Sequence, residues 1–192
     1  MVIALVTALG ERIGGVFDDA EATWGSKVLG VEITGPLQAA SDLRFERAVI
    51  AVGNNDERQR IADEISLPWI GLVHPTAWVH ESVGVGSGTV VFAGAVVQPE
   101  TVLGGHVIIN TAASVDHDCD IGDFAHIGPG AHLSGGVTIG QGALVGIGAV
   151  IRPGTSVGPR ARIGAGAAVV ADIEPGVTAT GVPARTVDQR QE

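Results

Sequence analysis

The sequence is poor in cysteine and in basic residues, with one Cys and 11 Lys and Arg against 21 Asp and Glu. The single Cys119 cannot form an internal disulfide, which is compatible with a reducing compartment. The formal net charge of −10 repels phosphate backbones and anionic lipids, so we expect neither nucleic acid nor membrane as a partner. The chain also lacks an uncharged apolar run of about 18 residues and the features of a signal peptide, so we expect a cytoplasmic protein.

Residues 1–73 predict a small α/β domain. Short β-branched runs at 12–19 and 47–53 end in turn residues, so each is a predicted buried strand. Residues 55–68 follow with an acidic first turn, good helix formers and a terminating proline, which predict a helix. A parallel sheet of this kind binds ligands at the carboxyl ends of its strands. Those ends carry Asp18, Asp19 and Asn54, which we predict to bind substrate.

Residues 74–192 form a second predicted domain with a period of six. Every sixth residue from Val79 to Val169 is a branched aliphatic, and the residue four places after each of them is small in nearly every repeat. This period fits neither an α-helix nor a plain alternating strand, but it fits a short strand and a tight corner repeated as a coil. The large aliphatic side chains would fill the interior of the coil, and each turn would stack on the next.

The hexads resemble those of the hexapeptide-repeat acyltransferases. The segments GVFDDAEATWGSKVLGVEITGP, AVGNNDERQRIA and NTAASVDHDCDIGDFAHIGPGAHLSGGVTIG sharpen the resemblance to the subfamily that acetylates nucleotide-linked amino sugars or sialic acid. The resemblance covers nearly the whole chain and implies a mainly β fold, a left-handed parallel β-helix preceded by a Rossmann-like α/β domain. The opening MVIALVTALGERIGG resembles only the helix that follows the first strand and Gly-rich loop of such domains, so we expect the amino-terminal domain to be truncated.

A cluster of polar residues interrupts the apolar coil at VDHDCDIGDFAH, residues 115–126. If three hexads make one coil, residues eighteen apart stack, which sets His117 beside Gly135. The resemblance implies that His117 is the general base and that the Gly135 N–H stabilises the oxyanion formed from acetyl-CoA. It also implies that Asp118 orients the imidazole, although Asp116 is an equal candidate from the sequence because neighbours on a straight strand point to opposite faces.

Further site residues follow from the same resemblance. It places His126 and Asn110 near the acetyl and sugar groups, and it places Ile147, Gly164 and Ala165, together with Gly135, along the acetyl-CoA channel. It implies a homotrimer with each acyl site between two subunits. We predict no metal site, because the gamma-type carbonic anhydrases of this fold need a pair of histidines five residues apart, and no two of the six here have that spacing.

The predicted activity is acetyl-CoA-dependent N-acetylation of a nucleotide-linked 4-amino sugar. O-acetylation of sialic acid or a related free sugar is the alternative, because a hydroxyl acceptor needs the same base. A structural solenoid without activity is the non-enzymatic alternative. Cys119 falls on a small interior position, where an inert buried thiol is expected.

Overall fold

The computed structural model describes residues 1–43 and 45–187. The amino-terminal part comprises helices α1 (Val2–Ala8) and α2 (Asn55–Glu64), strands β1 (Val16–Phe17), β2 (Lys27–Val28) and β3 (Val31–Gly35), and 3-10 turns at Glu21–Thr23 and Leu37–Asp42. The strands form a small sheet in which β1 pairs parallel and β2 antiparallel with β3. This region is therefore a small mixed α/β unit.

One predicted strand of this region is wrong. Residues 47–53 make a single parallel bridge, between Ala48 and Trp69, and no ladder. The apolar side chains of this segment pack against helix α2 instead, where Ile50 is buried with Ile61 and Ile65. The predicted helix 55–68 is confirmed from its first residue but ends at Glu64.

A parallel coil begins at β4. Its two-residue strands are β4 (Leu72–Val73), β5 (Trp78–Val79), β6 (Gly84–Val85), β7 (Val90–Val91), β8 (Val96–Val97), β9 (Val102–Leu103), β10 (Ile108–Ile109), β11 (Ser114–Val115), β12 (Asp120–Ile121), β13 (His126–Ile127), β14 (His132–Leu133), β15 (Thr138–Ile139), β16 (Leu144–Val145), β17 (Val150–Ile151), β18 (Ser156–Val157), β19 (Arg162–Ile163) and β20 (Ala168–Val169). Strands β21 (Thr178–Thr180) and β22 (Arg185–Val187) extend the sheet that begins with β4.

The coil has three flat faces, each a parallel sheet. Face 1 contains β4, β7, β10, β13, β16 and β19, face 2 runs from β5 to β20, and face 3 runs from β6 to β18. Paired residues are eighteen apart, as in His126 with Ile108 and Leu144. The predicted three hexads per coil are therefore confirmed. Strand β4 lies at the boundary that we placed after residue 73, and the division into two domains stays a prediction.

The hexad aliphatics fill the coil as predicted. From Val91 to Val169 each is 2% exposed or less, and the small residues between them, such as Ala113 and Ala125, are fully buried. Large and small side chains thus alternate around the interior, which lets the wall bend at each corner without leaving a void. None of the helices in the described residues is long and apolar enough to cross a membrane.

The corners require a left-handed backbone conformation. The third residue after each hexad aliphatic has a positive φ at every repeat from Gly88 to Gly166. Glycine occupies most of these positions because it adopts this conformation without steric penalty. Five successive corners instead carry side chains, namely Glu100, His106, Ala112, Asp118 and Phe124. The chemistry described below is concentrated in these coils.

The amino-terminal part covers one face and one corner of the coil. Leu5 of α1 packs on the outward side chains of face 1, which are Leu72, Val90 and Ile108. Helix α2 lies along corner 3–1, defined as the corner between faces 3 and 1. There Asn55 Nδ2 donates to the carbonyls of Gly142 and Ala143 at 3.0 and 3.2 Å. The two hydrogen bonds fix the first turn of α2 against the coil.

Candidate active site

His117 and Asp118 form a hydrogen-bonded pair at corner 2–3, the corner between faces 2 and 3. His117 Nδ1 lies 2.6 Å from Asp118 Oδ2. Asp118 has a φ of 57°, so the chain bends sharply and two consecutive side chains meet on the same side. An ionised carboxylate only accepts hydrogen bonds, so Nδ1 carries the ring proton. His117 Nε2 is then left free to accept a proton.

Asp116 serves a different purpose. Its Oδ1 accepts a hydrogen bond from the backbone N–H of His117 at 2.9 Å. Asp118 is therefore the partner of the imidazole, and Asp116 acts on it only through its charge. Which aspartate contacts the imidazole depends on the left-handed backbone conformation at Asp118. The sequence pattern did not predict this conformation.

Gly135 lies directly against the His117 ring. A Cβ at Gly135 would stand 2.7 Å from His117 Cε1 and 2.8 Å from Nε2. His117 and Gly135 occupy the same position in successive coils, and this position is taken by Pro99 in the coil before and by Pro153 in the coil after. Because proline has no N–H, the main-chain ladder does not use the N–H at this position. Within the described residues the Gly135 N–H donates no hydrogen bond. A free main-chain donor thus stands beside a free imidazole nitrogen.

The electrostatics of this corner favour the protonated imidazole. The hydrogen bond to Asp118 raises the pKa of His117, and the charge of Asp116 adds to the effect. Both side chains of the pair are exposed, His117 by 60% and Asp118 by 65%. In contrast, burial raises the pKa of the Cys119 thiol, whose Sγ faces the Ser134 carbonyl at 3.3 Å. Cys119 is therefore held as a neutral thiol.

Asn110 and His126 meet on the outside of face 1. Asn110 Oδ1 accepts from the Thr111 N–H at 2.8 Å, so its amide nitrogen is the group that faces His126 Nε2, at 3.1 Å. Nε2 therefore accepts, and the ring proton is on Nδ1. Burial and the charge of Arg58 lower the pKa of His126, and the main chain of Gly53 acts in the opposite direction. His126 is thus held as a neutral imidazole.

The predicted site residues fall into two groups within one chain. His117 and Gly135 lie at corner 2–3, which is the corner opposite face 1, whereas His126 lies on face 1 itself. The filled interior of the coil separates the two histidines. The resemblance predicts that both groups surround one acyl site between two subunits, and within one chain they do not meet.

The predicted cofactor residues divide in the same way. Ile147, Gly164 and Ala165 follow β16 and β19 at corner 1–2, between faces 1 and 2. Gly164 stacks in the same column as Asn110, and Ile147 and Ala165 occupy the next column. Ile147 is 58% exposed, so its apolar side chain is accessible to a ligand at this corner. Gly164 also has a packing reason to lack a side chain, because a Cβ there would stand 2.7 Å from Thr180 Cγ2.

The predicted substrate residues of the amino-terminal part are all near turns. Asp18 Oδ1 accepts from the Ala20 N–H at 2.8 Å, and Asp19 Oδ1 accepts from the Leu37 N–H at 3.0 Å. Asn54 caps α2, because its Oδ1 accepts from the Glu57 N–H at 3.0 Å. Arg60 Nη2 lies 3.5 Å from Asp19 Oδ2 and so connects the turn after β1 with α2.

Two residues at this end were missed by the sequence reasoning. Arg58 and Asn55 belong to a helix that reads as polar and exposed, yet Arg58 is 1% exposed. Both bond to carbonyls of the coil, and their partners are distant in sequence, so no local signal identified them. The described residues include no group of three His, Cys, Asp or Glu side chains placed to hold a metal ion.

The chain matches a family model described as bacterial transferase hexapeptide (six repeats) over residues 136–171. It is also similar to PerB from Caulobacter crescentus in complex with CoA and GDP-perosamine, with a TM-score of 0.90 and 36% identity over 97% of this chain and 91% of that chain. For the acetyltransferase domain of PglB from Neisseria gonorrhoeae in complex with acetyl coenzyme A, the TM-score is 0.89 and the identity 42%, over 97% of this chain and 92% of that one.

A curated relative gives a shorter match. UDP-N-acetylbacillosamine N-acetyltransferase from Bacillus subtilis is 41% identical over 90 residues, which represent 43% of this chain and 40% of that protein. The match therefore spans less than half of that relative.

Proposed function

The chain belongs to the bacterial hexapeptide-repeat transferases, and on that basis we propose that it is an acetyl-CoA-dependent N-acetyltransferase acting on a nucleotide-linked 4-amino sugar. The observation that carries the proposal is the His117–Asp118 pair, packed against a glycine with a free N–H. The relatives named above support the acceptor class, since one is bound to GDP-perosamine and another is an N-acetyltransferase of a UDP-linked sugar.

In the proposed reaction, the amino nitrogen of the sugar attacks the thioester carbonyl of acetyl-CoA. His117 Nε2 accepts the proton that the amine loses, and Asp118 stabilises the resulting imidazolium through Nδ1. The N–H of Gly135 donates to the oxygen that becomes negative in the tetrahedral intermediate. The C–S bond then breaks, the amide forms, and the CoA thiolate takes the proton from His117.

We further propose that the protein is a homotrimer with each site between two subunits. Corners 1–2 and 2–3 both border face 2, and a trimer packed through face 2 would bring corner 2–3 of one subunit beside corner 1–2 of the next. His117 and Gly135 would then face the neighbour's Asn110 column and its exposed Ile147. This arrangement accounts for a set of site residues that a single chain holds on opposite sides.

The acceptor is proposed to extend towards the amino-terminal part, which we regard as the sugar-nucleotide-binding domain, residues 1–73. Asp18, Asp19 and Asn54 remain the candidates for contacts to the nucleotide. We also retain as proposals the Rossmann-like character of this domain, the left-handed winding of the coil and the cytoplasmic location.

An acetyl-transfer assay tests the proposal. The protein is incubated with acetyl-CoA and a panel of GDP-, UDP- and dTDP-linked amino sugars, and thiol release and acetylated product are measured. The product should resist mild base, because an amide survives conditions that hydrolyse the ester expected from sialic acid O-acetylation. Absence of both turnover and acetyl-CoA binding would instead support the structural solenoid.

The base is tested in the same assay with His117→Ala. Turnover should fall by about 10²- to 10⁴-fold, the usual contribution of a general base, while the Kd for acetyl-CoA stays close to that of the wild type. Wild-type turnover in the variant would show that another group accepts the proton.

A further inference from the structure

Arg58 is a buried cation whose hydrogen bonds go to neutral acceptors. Nε donates to the His106 carbonyl at 2.8 Å, Nη1 to the carbonyls of Val52 and Gly53 at 3.1 and 3.3 Å, and Nη2 to Asn55 Oδ1 and the Phe124 carbonyl at 2.8 and 2.7 Å. The guanidinium has five N–H donors, so all of them are used. Burial without a carboxylate partner lowers the pKa of Arg58 to about 10.

The five acceptors come from two separate parts of the molecule. Val52 and Gly53 belong to the loop before α2, Asn54 is the N-cap of the helix, and Asn55 is its first residue. His106 and Phe124 are left-handed residues of corner 3–1 in two successive coils, with φ values of 54° and 59°. Their rings stack with centroids 5.1 Å apart, so the two corners are in direct contact. A single side chain therefore joins the loop to two turns of the coil.

The same loop and guanidinium border His126. The main chain of Gly53 and the charge of Arg58 both act on its ring, and Asn110 holds its Nε2. Nδ1 of His126 is buried and has no hydrogen-bond partner among the described residues. Arg58 is the charged group that acts on this ring, whereas Asn110 and Gly53 are neutral. His126 thus lies next to both the loop and the guanidinium that holds the loop.

We propose that Arg58 is a positioning residue for the acceptor side of the site: its hydrogen bonds fix residues 52–55 to corner 3–1, and its buried charge stands next to the Asn110-bonded His126. The inference rests on the proposed function for its kinetic consequence, since the acceptor roles of Asn54 and His126 are part of that function. It does not involve corner 2–3, where His117 lies. Arg58 should therefore affect the acceptor more than acetyl-CoA.

Lysine cannot replace Arg58 fully. An ammonium group has three donors instead of five, so Arg58→Lys retains the charge but leaves at least two of the five acceptors without a partner. Arg58→Met removes both the charge and the hydrogen bonds. The two variants thus separate the effect of the charge on His126 from the effect of the hydrogen bonds on the loop.

Histidine NMR titration is the first measurement, with the His126 signals assigned from a His126→Gln variant. The pKa of His126 should rise in Arg58→Met, because a neighbouring positive charge disfavours imidazolium, and should stay near the wild-type value in Arg58→Lys. Arg47→Met is the matched control, since Arg47 is exposed and paired with Glu11. An unchanged His126 titration in folded Arg58→Met would overturn the proposal.

Steady-state kinetics are the second measurement. In Arg58→Lys the KM for the sugar nucleotide should rise about tenfold, equivalent to the loss of one to two hydrogen bonds, while the KM for acetyl-CoA stays within about twofold. Equal changes in both KM values would show a general structural role and refute the positioning role. If Arg58→Met does not fold, the kinetics of Arg58→Lys test the proposal. The titration needs no turnover, so it gives its answer even if the proposed activity is absent.

Discussion

At the scale of single residues, the pairing of His117 with Asp118 depends on one backbone torsion. Two consecutive side chains meet because Asp118 takes a φ of 57°, a conformation that aspartate tolerates better than most residues. The sequence predicted both residues and left Asp116 open, since periodicity reports which face a residue occupies and not the torsion at a corner. The proximity of Gly135 was predictable, because it follows from a stacking interval of eighteen.

The pH profile of Asp118→Asn tests the electrostatic role of this pair. Asp118 raises the pKa of His117, so the acidic limb of kcat/KM should lie above the usual imidazole range of about 6.5 in the wild type. The variant loses the charge, so the limb should move to lower pH, and the maximum should fall by about 10²-fold or more as the ring loses its orientation. An acidic limb at the same pH in the variant and the wild type would mean that this limb does not report the titration of His117.

Gly135→Ala tests the space beside the imidazole. The new Cβ would stand 2.7 Å from His117 Cε1, and because the His117 side chain is exposed, the ring should move away while the coil stays folded. We expect kcat to fall about 10²-fold with an unchanged Tm. Gly84→Ala is the control, because no atom lies within 4 Å of its Cβ position, and it should leave both quantities unchanged. Equal kcat in the two variants would remove Gly135 from the mechanism.

At the scale of elements, sequence patterns succeeded where a period was repeated and failed where it was not. The coil was predictable because each hexad repeats the same division into interior and exterior positions. Residues 47–53 were not, because a short β-branched run is equally compatible with an extended segment that packs through Ile50 and makes only the Ala48 bridge. The burial of Arg58 was unpredictable because its acceptors, His106 and Phe124, lie far along the chain.

The docking of α2 should depend on Asn55. Replacement by alanine leaves the Gly142 carbonyl and one Arg58 donor without their partner and removes one of two hydrogen bonds to the Ala143 carbonyl, which should lower the free energy of unfolding by about 1–3 kcal/mol. Asp56→Asn weakens an exposed pair with Arg160 and removes one acidic charge from the first turn of α2, and it should cost about 1 kcal/mol or less. Urea unfolding at one fixed protein concentration measures both. Equal losses would indicate that the coil carbonyls do not need Asn55.

At the scale of the whole molecule, the two groups of site residues make a prediction about assembly. His117 belongs to corner 2–3 and Ala165 to corner 1–2 of the same chain, with the core between them. The resemblance implies a site between two subunits, and the order of the three faces adds that the two groups lie at different corners of one chain. In the trimer proposed above, a second copy would supply corner 1–2 and complete the site.

Mixed oligomers of two inactive variants test this assembly. His117→Ala removes the base, and Ala165→Trp fills the proposed acetyl-CoA channel. Both positions are exposed, so each variant should fold. Alone, each should be nearly inactive. After co-expression or subunit exchange, the mixture should recover about a quarter of the wild-type rate, the share of interfaces that combine two intact corners at random. If each site lay within one chain, every chain in the mixture would carry a defect, and no activity would return.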